Sequence, residues 1–199
     1  MATLETIIAD ALEFADRPDL LSPCRKVMRS ILFEAHGISD FHRDLAAAAT
    51  EAGAKNNVLA LPANFRKLST VLAYDEDATP LTVVYHRKTA EPFVDTWGFQ
   101  NNAFLYYIAG GNLTLQHNES YIPDKVGYVY YKYPTFTTAG DGIVSTDSWM
   151  PDKHEAYLRN KLLAFMAART GNTAALQVAN ADLQQCLSIL LASDMDGLS

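Results

Sequence analysis

The hydrophobic period of this chain changes twice, from helical spacing to alternation and back, and that pattern limits the fold more than any single motif does. At the N-terminus Leu4, Ile7, Ile8, Ala11 and Leu12 recur at helical spacing behind Thr3, which predicts a capped helix running to Ala15 and ended by Asp16-Arg17-Pro18-Asp19. Ser22-Pro23 then reads as an N-cap followed by a proline at the first helical position. Val27, Met28, Ile31, Leu32 and Ala35 form the apolar face of this second helix, and Gly37 is expected to stop it in the left-handed region. From about Phe41 to Thr138 short alternating runs are broken by Ala52-Gly53, Asp75-Glu76-Asp77, Gly110-Gly111-Asn112 and Gly140-Asp141-Gly142, a pattern of antiparallel strands.

Candidate strands are Leu68 to Tyr74, Leu81 to His86, Ala103 to Ile108, Asn112 to His117 and Val126 to Tyr133, the last ended by Pro134. The two that flank Gly110-Gly111 make the best hairpin, because glycine tolerates the positive φ of a tight connection. After Asp147-Ser148-Trp149-Met150-Pro151 the helical period returns with Tyr157, Leu158, Leu162, Phe165 and Met166 up to Arg169. Gly171-Asn172 breaks it, and Thr173 is expected to cap a last helix on Leu176, Ala179, Leu183, Cys186, Leu187 and Leu190. The expected fold is α+β: a helical bundle from two N-terminal and two C-terminal helices, residues 1–40 and 147–199, with an inserted small antiparallel β-sandwich or barrel over 41–146.

With 199 residues, 49% hydrophobic and 20% charged, the chain can bury an ordinary core. Its 16 Lys and Arg against 23 Asp and Glu leave a net charge of −7, which disfavours a dedicated nucleic-acid binder or a protein that coats anionic lipid. Glu5, Asp10 and Glu13 interrupt the first apolar stretch, so it suits neither a signal peptide nor a membrane span, and a soluble protein is expected. Cys24 and Cys186 stand far apart without metal-ligand spacing and are expected to be reduced. The sequons at Asn112 and Asn118 carry little weight without a secretion signal.

Motifs that carry chemistry are incomplete. His154-Glu155 begins like a zinc-protease motif, yet Leu158 occupies the place of the second histidine. His36, His42, His86 and His117 show no metal-ligand spacing, so surface or capping roles are expected of them. No serine sits in G-x-S-x-G, and Ser148 beside Asp147 fits a turn that starts a helix. Gly110-Gly111 leads into a strand instead of a helix, so it cannot cradle a phosphate, and Asp194-Met195-Asp196-Gly197 lacks the later glutamate of a calcium loop. No catalytic residue, cofactor or metal is expected; a hydrolase built on His117, Glu119 and Asp124 would rest on sequence proximity alone.

Two patches stand out as candidate interfaces. Arg25, Lys26 and Arg29 form a cationic face on the second helix, for which a solvated face is the first reading and a surface for an acidic partner the second. Tyr128, Tyr130, Tyr131 and Tyr133 lie in one strand, Tyr128 and Tyr130 on one sheet face and the other two on the opposite face. Sheet packing is the first reading of the tyrosines, a protein interface the second and sugar or base stacking the third.

Leu61-Pro62-Ala63-Asn64-Phe65-Arg66-Lys67-Leu68, Tyr107-Ile108-Ala109-Gly110-Gly111-Asn112-Leu113 and Tyr130-Tyr131-Lys132-Tyr133-Pro134, set between two helix pairs, resemble the head-to-tail adaptor (head completion, connector) proteins of tailed bacteriophages. The resemblance implies a structural virion protein and no enzyme: a homo-oligomeric ring, generally of twelve copies, made in the host cytoplasm and placed at the head–tail junction. Its implied partners are itself, the portal protein and a tail or nozzle protein, with DNA passing through unbound and no membrane involved. A ring needs complementary patches on two sides of one subunit, for which acidic helix 1 (Glu5, Asp10, Glu13) and basic helix 2 are the expected pair. Only Ser193 to Ser199 follow the last helix, a short tail for docking into a portal. The alternative is a carbohydrate- or small-ligand-binding β module with helical flanks, motivated by the tyrosine strand.

Overall fold

The computed structural model describes residues 3–51, 58–74, 83–84, 86–87, 105–116, 125–140 and 142–195. It is an α+β chain with five α-helices and several small, mostly antiparallel sheets. Two compact units emerge: Met1–Asp44 with Tyr133–Ser199, and Leu45–Lys132.

In the first unit α1 (Leu4–Phe14) is capped by Thr3, whose hydroxyl accepts from the Thr6 amide at 3.2 Å while Thr6 Oγ1 accepts from the Thr3 amide at 2.9 Å. The buried residues of α1 are the five expected from its period: Leu4, Ile7, Ile8, Ala11 and Leu12. The second helix, α2 (Leu21–Gly37), starts earlier than Ser22-Pro23 suggests, because a 3-10 turn at Pro18–Leu20 leads directly into it. Ser22 therefore caps nothing, and Gly37 is the last helical residue, followed by Ile38 in right-handed conformation, instead of a left-handed stop. Its buried face is Cys24, Met28, Ile31, Leu32, Ala35 and His36.

After a short α3 (Met150–Lys153), α4 (Glu155–Thr170) buries Tyr157, Leu158, Leu162 and Met166 and ends on Gly171, whose φ of 69° a Cβ-bearing residue adopts less readily. The cap of α5 (Thr173–Met195) is Asn172, not Thr173: Asn172 Oδ1 accepts from the Ala175 amide at 3.0 Å. Residues from all four long helices meet in one core, together with Phe41, Ile143 and Met150.

The strands of the second unit are β1 (Leu45–Glu51), β2 (Val58–Ala60), β3 (Phe65–Tyr74), β4 (Val83–Val84), β5 (His86–Arg87), β6 (Leu105–Ala109), β7 (Asn112–Gln116) and β8 (Lys125–Lys132). They form two sheets, ordered β1-β8-β3-β4 and β2-β7-β6-β5; every pairing is antiparallel except the short β5–β6 pair. Gly110 and Gly111, at φ 58° and 77°, close the β6–β7 hairpin with Ala109 opposite Asn112, as their spacing predicts. Val71, Val126, Tyr128 and Tyr130 from the first sheet share a core with Leu113 and Leu115 from the second.

The alanine-rich β1 was not among the expected strands, since alanine is a poor strand former. It pairs with β8 so that Ala46 faces Tyr130 and Ala48 faces Tyr128, small side chains set opposite large rings. Nor does Pro134 end the β structure: β9 (Phe136–Ala139) and β10 (Gly142–Thr146) form a further hairpin, grouped with the helices. A Cβ on Gly142 would lie 2.7 Å from the Arg25 carbonyl carbon, so only glycine lets β10 approach α2 this closely.

Candidate functional site

The polar network at the end of α2 was not legible in the sequence. His36 and Asp44 are both 2% exposed. His36 Nδ1 lies 2.8 Å from Asp44 Oδ1, and His36 Nε2 lies 2.8 Å from Ser148 Oγ. Both ring nitrogens of His36 are thus engaged by side chains, one by the carboxyl of Asp44 and one by the hydroxyl of Ser148. Trp149 Nε1–H donates to the same Asp44 oxygen at 2.8 Å, and the Met150 amide donates to Ser148 Oγ at 3.1 Å.

The order Ser–His–Asp has the connectivity of a hydrolytic triad, but its members serve the backbone. Ser148 Oγ also accepts from the Met150 amide, and His36 and Asp44 are buried away from solvent. The network ties the last turn of α2 to the turn that starts α3, across more than a hundred residues of sequence. His36 is thus a buried core histidine, which corrects the expected surface or capping role.

His154 is also buried, at 8% exposure, with Nε2 3.1 Å from Ser193 Oγ. Burial, aided by the nearby Arg43 charge, pushes its pKa below the ordinary histidine value. Burial pushes the Cys24 thiol up to about 11, which disfavours the nucleophilic thiolate; Cys24 is a buried free thiol, whereas Cys186 is a free thiol that is only partly buried. Among the described residues no group of His, Cys, Asp or Glu could hold a metal ion, and no helix is long and apolar enough to cross a membrane. His117, Glu119, Asp124, Asn118 and Asp75-Glu76-Asp77 lie outside the described residues.

The candidate interface residues have unequal surroundings. Arg25 is engaged within the subunit: its guanidinium donates to both Glu5 carboxylate oxygens, at 3.2 and 2.9 Å. Acidic α1 and basic α2 therefore meet inside one protomer at this point and do not face away from each other there. Lys26 is exposed, and the exposed Arg29 lies over the Phe33 and Phe136 rings at 5.4 and 5.7 Å. Tyr128 and Tyr130 are 6% and 7% exposed and pack in the β core, the use ranked first from the sequence. Tyr131 and Tyr133 are half-buried, Tyr131 under the Arg66 guanidinium and Tyr133 edge-on to Phe33.

The larger exposed apolar features lie elsewhere. Phe14 at the end of α1 is 79% exposed, and Val178, Ile189 and Leu191 on α5 are 63%, 55% and 40% exposed. An open groove of about 600 Å³ runs between the end of α1, α4 and α5. The signal for this surface is present in the sequence: the 23 residues of α5 contain no basic residue and only two acidic ones, Asp182 and Asp194. A solvated helix face ordinarily carries more charge.

The chain is a structural component of a phage particle, as a family match across nearly its whole length shows. The model of the SU10 adaptor protein matches residues 2–198, and the chain belongs to that family, a phage head–tail adaptor family that is structural and not known to be enzymatic. Membership implies association with other virion components. No curated protein matches it.

Proposed function

We propose that the protein assembles as a homo-oligomeric ring, of about twelve copies by family resemblance, at the head–tail junction, joining the portal to a tail or nozzle protein and letting DNA pass. The family match over residues 2–198 carries this reading. In it the helices act as a bundle that packs side by side around the ring, and the inserted β unit, built as a small sandwich or barrel, faces the next component. A net charge of −7 suits a channel that must not grip its cargo, because acidic walls repel phosphate. The carbohydrate-binding alternative drew on the tyrosine strand, and two of its four rings are buried in the β core.

Purified protein imaged alone and with its cognate portal should form closed rings, and purified virions should contain it. Protein that stays monomeric in both settings and is missing from virions would overturn the proposal.

A further inference from the structure

Two buried imidazoles meet on the Trp149 indole. The His36 ring stands edge-on to it at 5.8 Å and the His154 ring at 5.5 Å, while the Arg43 guanidinium, from the 3-10 turn His42–Asp44, lies over it at 5.3 Å. The two histidines differ in what answers a positive charge. His36 Nδ1 lies 2.8 Å from the Asp44 carboxyl, so a protonated His36 has its counterion in contact. His154 touches no carboxylate among the described residues: its Nε2 meets the neutral Ser193 hydroxyl, and burial and the Arg43 cation both oppose its charged form. The open groove beside His154 is lined by Asp152 and Glu155 together with Lys153 and Arg159, and by Tyr157 and Cys186, so its carboxylates are matched by cations.

What His154 holds is the end of α5. Past Leu187 the described side chains of that helix bury only Leu190 and leave Ile189 and Leu191 exposed. Ser193 Oγ donates to the Leu190 carbonyl at 2.8 Å and ties this end to the start of α4 through His154 at 3.1 Å. A helix end with so few anchors opens at a lower free energy than the core behind it. When His154 takes up a proton, the closed site must hold a charge away from water and near Arg43 with no carboxylate in contact, whereas an open end lets water reach the ring. Acid therefore favours the open end.

We propose that His154 is an acid-sensitive latch on α5: neutral, it keeps the Ser193 turn docked, and protonated, it lets residues 190–195 come away while α1, α2 and α4 keep their core. The end stays docked above the ordinary imidazole value near pH 6.5 and loosens as pH falls below it. His36 is not the trigger, because Asp44 accommodates its charge. The latch lies within the helical unit and needs no second copy, so its failure leaves the ring reading untouched.

Hydrogen exchange followed by mass spectrometry on the full-length protein at pH 7 and pH 5, corrected for intrinsic exchange rates, tests this. Peptides covering residues 187–195 should lose protection severalfold at pH 5 while those of α1 and α2 hold theirs. His154→Gln cannot take up the proton and should abolish the pH dependence of that end. Arg43→Gln, at an exposed position, should shrink it, since the substitution removes a charge that opposes the proton. Ser193→Ala should loosen the end at both pH values. An end equally protected at pH 7 and pH 5, a loss that persists in His154→Gln, or a loss shared in full by α1 and α2 overturns the latch. If circular dichroism shows His154→Gln unfolded, Arg43→Gln and Ser193→Ala decide the matter, and wild-type behaviour in both overturns it equally.

Discussion

Helices α4 and α5 are neighbours in one helix pair, yet they are used differently. Tyr157, Leu158, Leu162, Met166 and Ala167 of α4 are buried, as is Asn160, which donates to Cys186 Sγ at 3.5 Å. Among the described side chains of α5 only Ala179 and Leu190 are buried, while Leu183, Cys186 and Leu187 are partly covered and Leu176 is half-exposed. The cause is position: α1 and α2 both pack on α4, whereas the principal packing partner of α5 is α4. Apolar residues recur around much of α5, so a helix covered on one side leaves Val178, Ile189 and Leu191 outside. Apolar content alone does not tell a core helix from one that leaves an apolar face exposed.

The sharpest way to break this contrast is to place a charge in each helix. Leu158→Asp puts a carboxylate at a fully buried position of α4 and should cost about 3–5 kcal/mol or unfold the unit, read from chemical or thermal melts. Leu187→Asp on α5 should cost only about 1–2 kcal/mol, because that side chain can turn its charge to water. Equal losses from the two substitutions would show that α5 is as deeply packed as α4.

A gentler probe is pH, acting where the two helices meet. His154 precedes the first residue of α4 and touches Ser193 of α5, and its folded pKa lies below its unfolded value near 6.5. Its contribution to stability is therefore fully present above pH 6.5 and is lost as pH falls through the lower folded value. The melting temperature should drop between pH 7 and pH 5, and His154→Gln should flatten that part of the profile. An NMR titration placing the His154 pKa at or above 6.5 would overturn the assignment.

The smallest effect on the isolated protomer is expected from Val178→Ser and Ile189→Ser, about 0.5 kcal/mol or less, since both residues already face water. Their effect on ring assembly should be larger than on protomer stability. A clear stability loss without any assembly defect would mean that α5 is covered by its own subunit.

Much of the helical unit could be read from the chain because its cues are local. The Thr3 cap, the stripe of α1, the Gly171 break and the Gly110-Gly111 turn all act over a few residues, and each stands where its spacing places it. Other starts and stops went astray for equally local reasons. A 3-10 turn took over the role given to Ser22, and Asn172 capped α5 in place of Thr173.

What lay beyond the sequence needed partners distant along the chain. Strand β1 is held by its pairing with β8, where alanines stand opposite Tyr128 and Tyr130, a partnership that no property of Leu45–Glu51 announces. His36 became a core residue only when Asp44 and Ser148 closed around it, and Arg25 met Glu5 only because α1 and α2 pack together. By itself the sequence determined the kinds of element, their order and the acidic balance, because these follow from side-chain period and charge count. The tertiary structure alone decided which polar groups are paired, which apolar faces are covered and which stay exposed, because burial and pairing depend on distances that only packing sets.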